Sequence, residues 1–264
     1  MQALMLAAGM GKRLAKYTQN NTKCMVPVAG KKLIDRAIES LKIAGINRFI
    51  IVIGYKGENL KKYILENHKG EMDFVFIENK DYATTNNIYS FYLTKDELIK
   101  DDTILMESDV IYEPDLIKKM VEYKHQNIAA VAKYESWMDG TVVEADDEHN
   151  ITSFIEKKDM DNSKLDRYYK TVNIYKFSAS FVRDIYIPFL EAYMKAYGMN
   201  SYYETTLKVL CMLKDFPVKA FYMRDIDWYE IDDAQDLSIA TALFTKGIEK
   251  YNFITAAFGG FWRY

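Results

Sequence analysis

Cysteine is scarce in this chain. The two present, Cys24 and Cys211, lie outside any Cys-x-x-Cys or Cys/His cluster, which excludes a zinc ribbon and a disulfide framework and fits a reducing compartment. Proline occurs four times, so hinges are few and there is no proline-rich linker. Histidine occurs three times, at His68, His125 and His149. Each falls at a predicted helix end or turn, where solvation is expected, and none is a candidate general base. A strong charge of either sign is also missing: 35 Lys and Arg oppose 38 Asp and Glu, for a net charge of −3. That argues against a nucleic-acid partner and requires any anionic ligand to find a local basic cluster. No apolar run is long enough to span a bilayer. The opening Met1–Gly9 has no basic residue ahead of its apolar stretch, so no secretory signal and no membrane partner are expected, and the protein is expected in the cytoplasm. There is no internal repeat and no low-complexity segment.

What remains is a chain of 264 residues with ordinary globular proportions, 49% hydrophobic and 28% charged, long enough to bury a core without staples. Aromatic residues reach 14%, with 21 tyrosines, enough for a large aromatic core and for a pocket wall as well. Strand and helix patterns alternate. Strands are expected at 2–6, 48–53, 73–77, 103–106 and 128–133, with helices at 33–44, 56–67 and 115–126, the first closed by Gly45. The Ile50–Ile53 run is continuously apolar and β-branched, as in a strand buried on both faces. This order predicts an α/β fold with a parallel sheet between helices. The rhythm then breaks. Segments 140–145 and 151–156 read as a hairpin inserted over one face, and a strand at 170–177 follows. Helices at 180–196 and 202–213, a strand at 218–222 and a helix from Asp233 complete the pattern. One domain is expected over 1–245. The tail 246–264 ends in Phe258-Gly-Gly-Phe-Trp-Arg-Tyr264. Its clustered aromatics are expected to pack back on the domain or to join a further one.

Four constellations carry chemistry. The first is Leu6-Ala7-Ala8-Gly9-Met10-Gly11-Lys12-Arg13, a strand that runs into small residues, two glycines and two cations. Glycines let backbone N–H groups approach a phosphate, and Lys12 and Arg13 can neutralise a triphosphate. The spacing is neither a dinucleotide fingerprint nor a Walker A loop. Lys23, ahead of Pro27, can reach back to the same phosphates or stand on the surface. The second is Asp109, just past the apolar strand that ends at Met106, where α/β sheets bind ligands; it can ligate Mg²⁺ or cap the loop. The third is Trp228-Tyr-Glu-Ile-Asp-Asp233. Alternation puts Glu230 and Asp232 on one face, which is costly unless a cation holds them, and leaves Asp233 to cap the next helix. The fourth is Thr85-Asn86-Asn87-Ile-Tyr-Ser90, whose amides can read a base edge, or cap a helix.

The glycine loop, Lys23 and Pro27 together resemble the signature of the sugar-phosphate and choline-phosphate nucleotidyltransferases, and the resemblance runs to about residue 245. It implies a three-layer α/β/α Rossmann-like fold with a mixed, mainly parallel sheet and a small β insertion. It also implies a loop that wraps an NTP's phosphates, catalytic roles for Arg13 and Lys23, and Mg²⁺ on Asp109, Glu230 and Asp232. The Asn86-Asn87-x-x-Ser90 segment resembles the choline-phosphate cytidylyltransferase branch, which implies CTP. The acceptor pocket is expected under the hairpin, with Trp137, Asp139, Tyr175, Tyr203, Glu204 and Trp228 as candidates. Aromatic faces suit a quaternary ammonium and carboxylates suit a primary amine, so phosphocholine and 2-aminoethylphosphonate both stay open. Gly259–Tyr264 resembles the junction of cytidylyltransferases fused to a pyridoxal-phosphate aminotransferase. A fused aminotransferase domain or a homo-oligomer is therefore an expected partnership. The alternatives are a sugar-1-phosphate nucleotidyltransferase and a non-catalytic regulatory relative that binds nucleotide as a signal.

Overall fold

The computed structural model describes residues 1–213 and 216–245; the expected tail 246–264, with its aromatic end, lies outside the described residues. The strands that matter here are β1 (Gln2–Ala7), β2 (Arg48–Ile53), β3 (Asp73–Glu78), β4 (Thr103–Glu107), β5 (Val110–Tyr112), β6 (Ile128–Lys133), β7 (Val142–Ala145), β8 (Ile151–Ile155), β9 (Tyr169–Phe177), β10 (Lys219–Tyr222) and β11 (Trp228–Glu230). The helices that matter here are α1 (Leu33–Ile43), α2 (Gly57–Asn67), α3 (Asn87–Tyr92), α4 (Leu116–Glu122), α5 (Ile187–Tyr197), α6 (Tyr203–Leu210) and α7 (234–245).

β1 is the centre of the sheet. It pairs in parallel with β2 on one side and β4 on the other, and β3 extends the sheet beyond β2. β9 runs antiparallel against β4 and carries β6 on its other edge, with β10 parallel to β6. Alternate side chains of a strand leave on opposite faces. Ala3, Met5, Phe49, Ile51 and Ile104 accordingly pack on α1, α2, α4 and α7. Leu4, Leu6, Ile50, Val52 and Leu105 pack on α3, α5 and α6. This explains the unbroken apolar run of β2: both faces are core. Each fully buried Leu or Ile there contributes roughly 1.5–3 kcal/mol. The layers are helix, mixed sheet, helix, and the β7–β8 hairpin joins the N-terminal half of β9.

Two details position the site. β9 carries a bulge between Thr171 and Tyr175, with Asn173 in the left-handed region at φ 59°. Bulges bend a strand and re-aim side chains. β5 and β11 form a separate antiparallel ribbon that sets Glu230 opposite Val110. Sequence reasoning did not resolve this ribbon as a strand pair, nor the short α3.

His68 corrects an expectation. Its Nε2 lies 2.9 Å from Asp35 and its Nδ1 3.2 Å from Glu71, so its side chain is paired, not solvated. Both cysteines are free, and burial pushes the Cys24 thiol up to about 12. Among the described residues no helix is long and apolar enough to cross a membrane.

Candidate active site

The loop that leaves β1 is built on close backbone approach. Gly11 sits at φ +57°, and Leu14 N–H and Thr18 Oγ1 both donate to its carbonyl at 3.0 Å. Gly54, at the end of β2, lies beneath the same loop. A Cβ there would stand 2.8 Å from the Ala8 carbonyl oxygen and 2.9 Å from Tyr82 Cβ, so only glycine lets β2 and the loop close on each other. Tyr55 N–H donates to that same Ala8 carbonyl at 3.1 Å.

The loop borders a cavity of about 340 Å³ whose wall includes Leu6, Ala8, Gly9, Gly11, Lys12 and Arg13, together with Asn86, Asn87 and Ser90 across from them. Ala7 is not on this wall. It is 2% exposed and points into the core with its neighbours of the same strand face, a correction that follows from β1 running one residue further than expected. Asn86 does both jobs open to it: its side chain accepts from Asn87 N–H at 2.8 Å, capping α3, and it stays on the cavity wall. Ser90 is buried and accepts from Asn79 Nδ2 at 3.0 Å.

The acidic centre comes from two distant segments. Ile231 N–H donates to the Asp109 carbonyl at 2.9 Å, locking the end of β11 to the turn after β4. One carboxylate oxygen from each of Asp109, Glu230 and Asp232 then falls within 4.8 Å of the others. Lys23 Nζ donates to Asp109 at 2.7 Å and to Asp232 at 2.8 Å, and Arg13 reaches Asp232 at 2.8 Å. Burial works against the Lys23 charge, but Asp109 and Asp232 outweigh it and hold its pKa above the ordinary value. Glu230 is held on both oxygens: Lys170 Nζ lies 3.2 Å away and Asn173 Nδ2, aimed by the bulge, donates at 3.2 Å. Asp109 Oδ1 is buried without a hydrogen-bond partner among the described residues. An orphaned buried carboxylate oxygen beside two further carboxylates fits a hard divalent cation with oxygen ligands. Asp233 caps α7, accepting from Gln235 N–H at 2.8 Å and Asp236 N–H at 3.0 Å.

A second cavity, of about 680 Å³, opens on the other side of this centre and shares Arg13, Lys23, Asn87, Glu107, Asp109 and Asp232 with the first. Asp139 and Glu204 line it, as expected from sequence. Four other candidates do not. Trp137 is 56% exposed and stacks on Tyr229, ring centroids 5.4 Å apart and planes 7° apart. Tyr229 leaves β11 on the opposite face from Glu230, so this pair lies outside the cavity. Trp228 packs against the core instead. Tyr175 and Tyr203 are 0% exposed, taken into the core by β9 and by the first turn of α6.

Sequence reasoning missed Glu107, Lys157 and Lys170, which line the cavity. Glu107 accepts from Asn87 Nδ2 at 3.2 Å, while Asn87 Oδ1 accepts from Tyr203 N–H at 3.0 Å. Asn87 therefore ties the start of α3 to the end of β4 and to α6. Its place beside Asp109 at a strand's carboxyl end was the available signal for Glu107. Burial, then the charges of Asp109, Glu204 and Glu230, push Glu107 well above the ordinary carboxylate range, and burial pushes Glu204 up to about 7.

The nucleotidyl transferase family model matches residues 2–244. The chain is 27% identical over its full length to the CMP-5'-(3-aminopropyl)phosphonate synthase of Streptomyces rubellomurinus, and covers 42% of that protein. It is 32% identical to the choline-phosphate cytidylyltransferase of Streptococcus pneumoniae, with 77% of this chain and 92% of that protein aligned. The solved CTP:phosphocholine cytidylyltransferase from Streptococcus pneumoniae superposes with a TM-score of 0.76 at 25% identity, over 92% of this chain and 98% of that one. The chain thus spans less than half the length of the Streptomyces relative.

Proposed function

Since this chain belongs to the nucleotidyl transferase family, we propose that it transfers CMP from CTP to a small amine-bearing phosphate or phosphonate and releases pyrophosphate. One observation carries the reading. Two cavities, one walled by the glycine loop and the other by carboxylates, meet at a shared centre of Arg13, Lys23, Asp109 and Asp232. That is the arrangement a two-substrate displacement needs: one substrate on each side of the bond that changes. The printed activities of the relatives supply the choice of CTP and of a phosphonate or phosphocholine-type acceptor.

The chain's own groups have clear tasks. The glycine loop and Lys12 hold the outgoing phosphates. Arg13 and Lys23 sit where charge builds at the reacting phosphorus, and preformed cations cost no reorganisation there. The acceptor oxygen is anionic at neutral pH, so no strong general base is required; catalysis is orientation and charge neutralisation. Asp109, Glu230 and Asp232 would hold a divalent cation, Mg²⁺ in this reading. When bound, it would supply positive charge to both the nucleotide and the acceptor phosphate. Asn86, Asn87 and Ser90 frame the nucleotide side, and Asp139 and Glu204 the acceptor side.

The test is pyrophosphate release, with CTP compared against UTP, GTP and dTTP, and with 2-aminoethylphosphonate, phosphocholine and glucose-1-phosphate as acceptors. Release with CTP and an amine-bearing acceptor is expected. Release with glucose-1-phosphate alone would replace this reading with sugar activation.

A further inference from the structure

We propose that the acceptor cavity holds a primary ammonium group between Glu204 and Glu107 and disfavours a trimethylammonium group. The inference rests on the cytidylyl-transfer reading and names the acceptor class within it.

The first argument is a charge balance. Lys23 is committed to Asp109 and Asp232, and Arg13 to Asp232. Lys170, 2% exposed, is committed to Glu230 and to the Thr171 carbonyl, 2.7 Å away. Glu107 and Glu204 stand outside the three-carboxylate cluster yet on the same cavity wall. Glu107 has one amide hydrogen bond, and the Glu204 carboxylate makes no side-chain hydrogen bond and no ion pair among the described residues. Half-buried carboxylates that make no ion pair are costly. A pair of them facing a substrate cavity is a receptor for a positive charge that arrives with the ligand.

The second argument concerns two neighbouring hydroxyls. The hydroxyls of Tyr175 and Tyr203 are buried and have no hydrogen-bond partner among the described residues. Tyr203 adjoins Glu204 in the chain, and its backbone N–H is held by Asn87, the residue that donates to Glu107. Native structures rarely leave such groups unmade. The two rings pack edge to face, centroids 5.9 Å apart, so both spare donors sit beside the start of α6, where Glu204 stands.

The third argument concerns shape. A trimethylammonium group has no N–H to donate and depends on aromatic faces. Here Trp137 is stacked on Tyr229 outside the cavity, and Tyr175 and Tyr203 are held in the core; of the rings on the wall, Phe154 is 3% exposed and edge-on to Phe216, and Tyr193 packs on Tyr197. Tyr202, on the cavity wall, is 60% exposed and belongs to the rim. A primary ammonium offers three N–H donors to the oxygens that are waiting.

The experiment uses phosphoethanolamine, its N-methyl and N,N-dimethyl forms, and phosphocholine, which share one phosphate and one spacer. With CTP and Mg²⁺, kcat/KM is expected to fall by about 100-fold or more along the series, since a site built for hydrogen bonds rejects analogues that lack them. Glu204→Gln should lose about 100-fold with phosphoethanolamine and under about 3-fold with phosphocholine. Glu107→Gln, with thermal unfolding of both variants, guards against a folding artefact. Phosphocholine used as well as phosphoethanolamine, or equal losses with both in Glu204→Gln, would overturn the proposal. If no acceptor releases pyrophosphate, the transfer reading itself has failed. Calorimetric binding of phosphoethanolamine then decides the receptor: lost in Glu204→Gln it stands, unchanged it falls.

Discussion

Lys23 donates its ammonium to Asp109 at 2.7 Å, across 86 residues of sequence, and the same nitrogen reaches Asp232 at 2.8 Å. A lysine from the loop region thus occupies the space between two of the three carboxylates suited to a divalent cation. A divalent cation bound there would compete with the lysine for the same oxygens. Lys23→Met is therefore expected to bind Mg²⁺ or Mn²⁺ about 10-fold more tightly, as a like charge leaves, while kcat falls about 100-fold with the lost charge at phosphorus. Calorimetric titration with Mn²⁺ and steady-state kinetics measure the two effects. Weaker metal binding would refute the competition.

Asp109→Ala is expected to cost at least about 1,000-fold in kcat, equivalent to about 4 kcal/mol, and to leave the fold intact. Circular dichroism and thermal unfolding check the second half. Retained turnover would remove Asp109 from the site.

Gly54→Ala tests the architecture of the loop without touching a charged group. Its Cβ would meet backbone, the Ala8 carbonyl oxygen at 2.8 Å, which cannot swing aside as a side-chain end could. The loop must shift, and a misplacement on the order of 1 Å costs about 100-fold in kcat/KM for the nucleotide. Binding of the acceptor alone should hardly change.

Burial raises Glu204 from its ordinary 4.5 to about 7. The folded chain therefore keeps a proton there that the unfolded chain has lost between those values, and linkage makes the ligand-free protein less stable as pH rises through that window. Stability at pH 5 should exceed that at pH 8 by an amount that Glu204→Gln reduces. Acceptor binding has the opposite sign, because an ammonium needs the ionised carboxylate. The acceptor KM should rise as pH falls below about 7 and flatten in Glu204→Gln.

Much of the fold was legible because its rules are local. The apolar run of β2 and the small-residue exit from β1 follow from periodicity and glycine chemistry, and both stand within one or two residues of expectation. The helix expected from Lys56 starts at Gly57 because Lys56 takes a left-handed φ of 52°. The site was less legible where it depends on pairing. Glu230 and Asp232 share a face by simple alternation, but only the β5–β11 ribbon brings them to Asp109. The aromatic pocket residues failed for a related reason. Residue type says that Trp137 and Tyr175 like apolar contact, and only the packing says that this contact is Tyr229 in one case and the core in the other. Lys170 gave no sign in sequence, because its meaning comes from a half-buried partner 60 residues on, Glu230.

The central claim is that one centre joins a CTP site to a site for an amine-bearing phosphate or phosphonate. The most direct measurement is pyrophosphate release from CTP with Mg²⁺ and 2-aminoethylphosphonate, with and without the acceptor and with UTP, GTP or dTTP in place of CTP. The account predicts release that requires the acceptor, is at least about 10-fold faster with CTP, and stops when the divalent cation is chelated. Acceptor-independent release, or equal rates with every nucleotide, would contradict it.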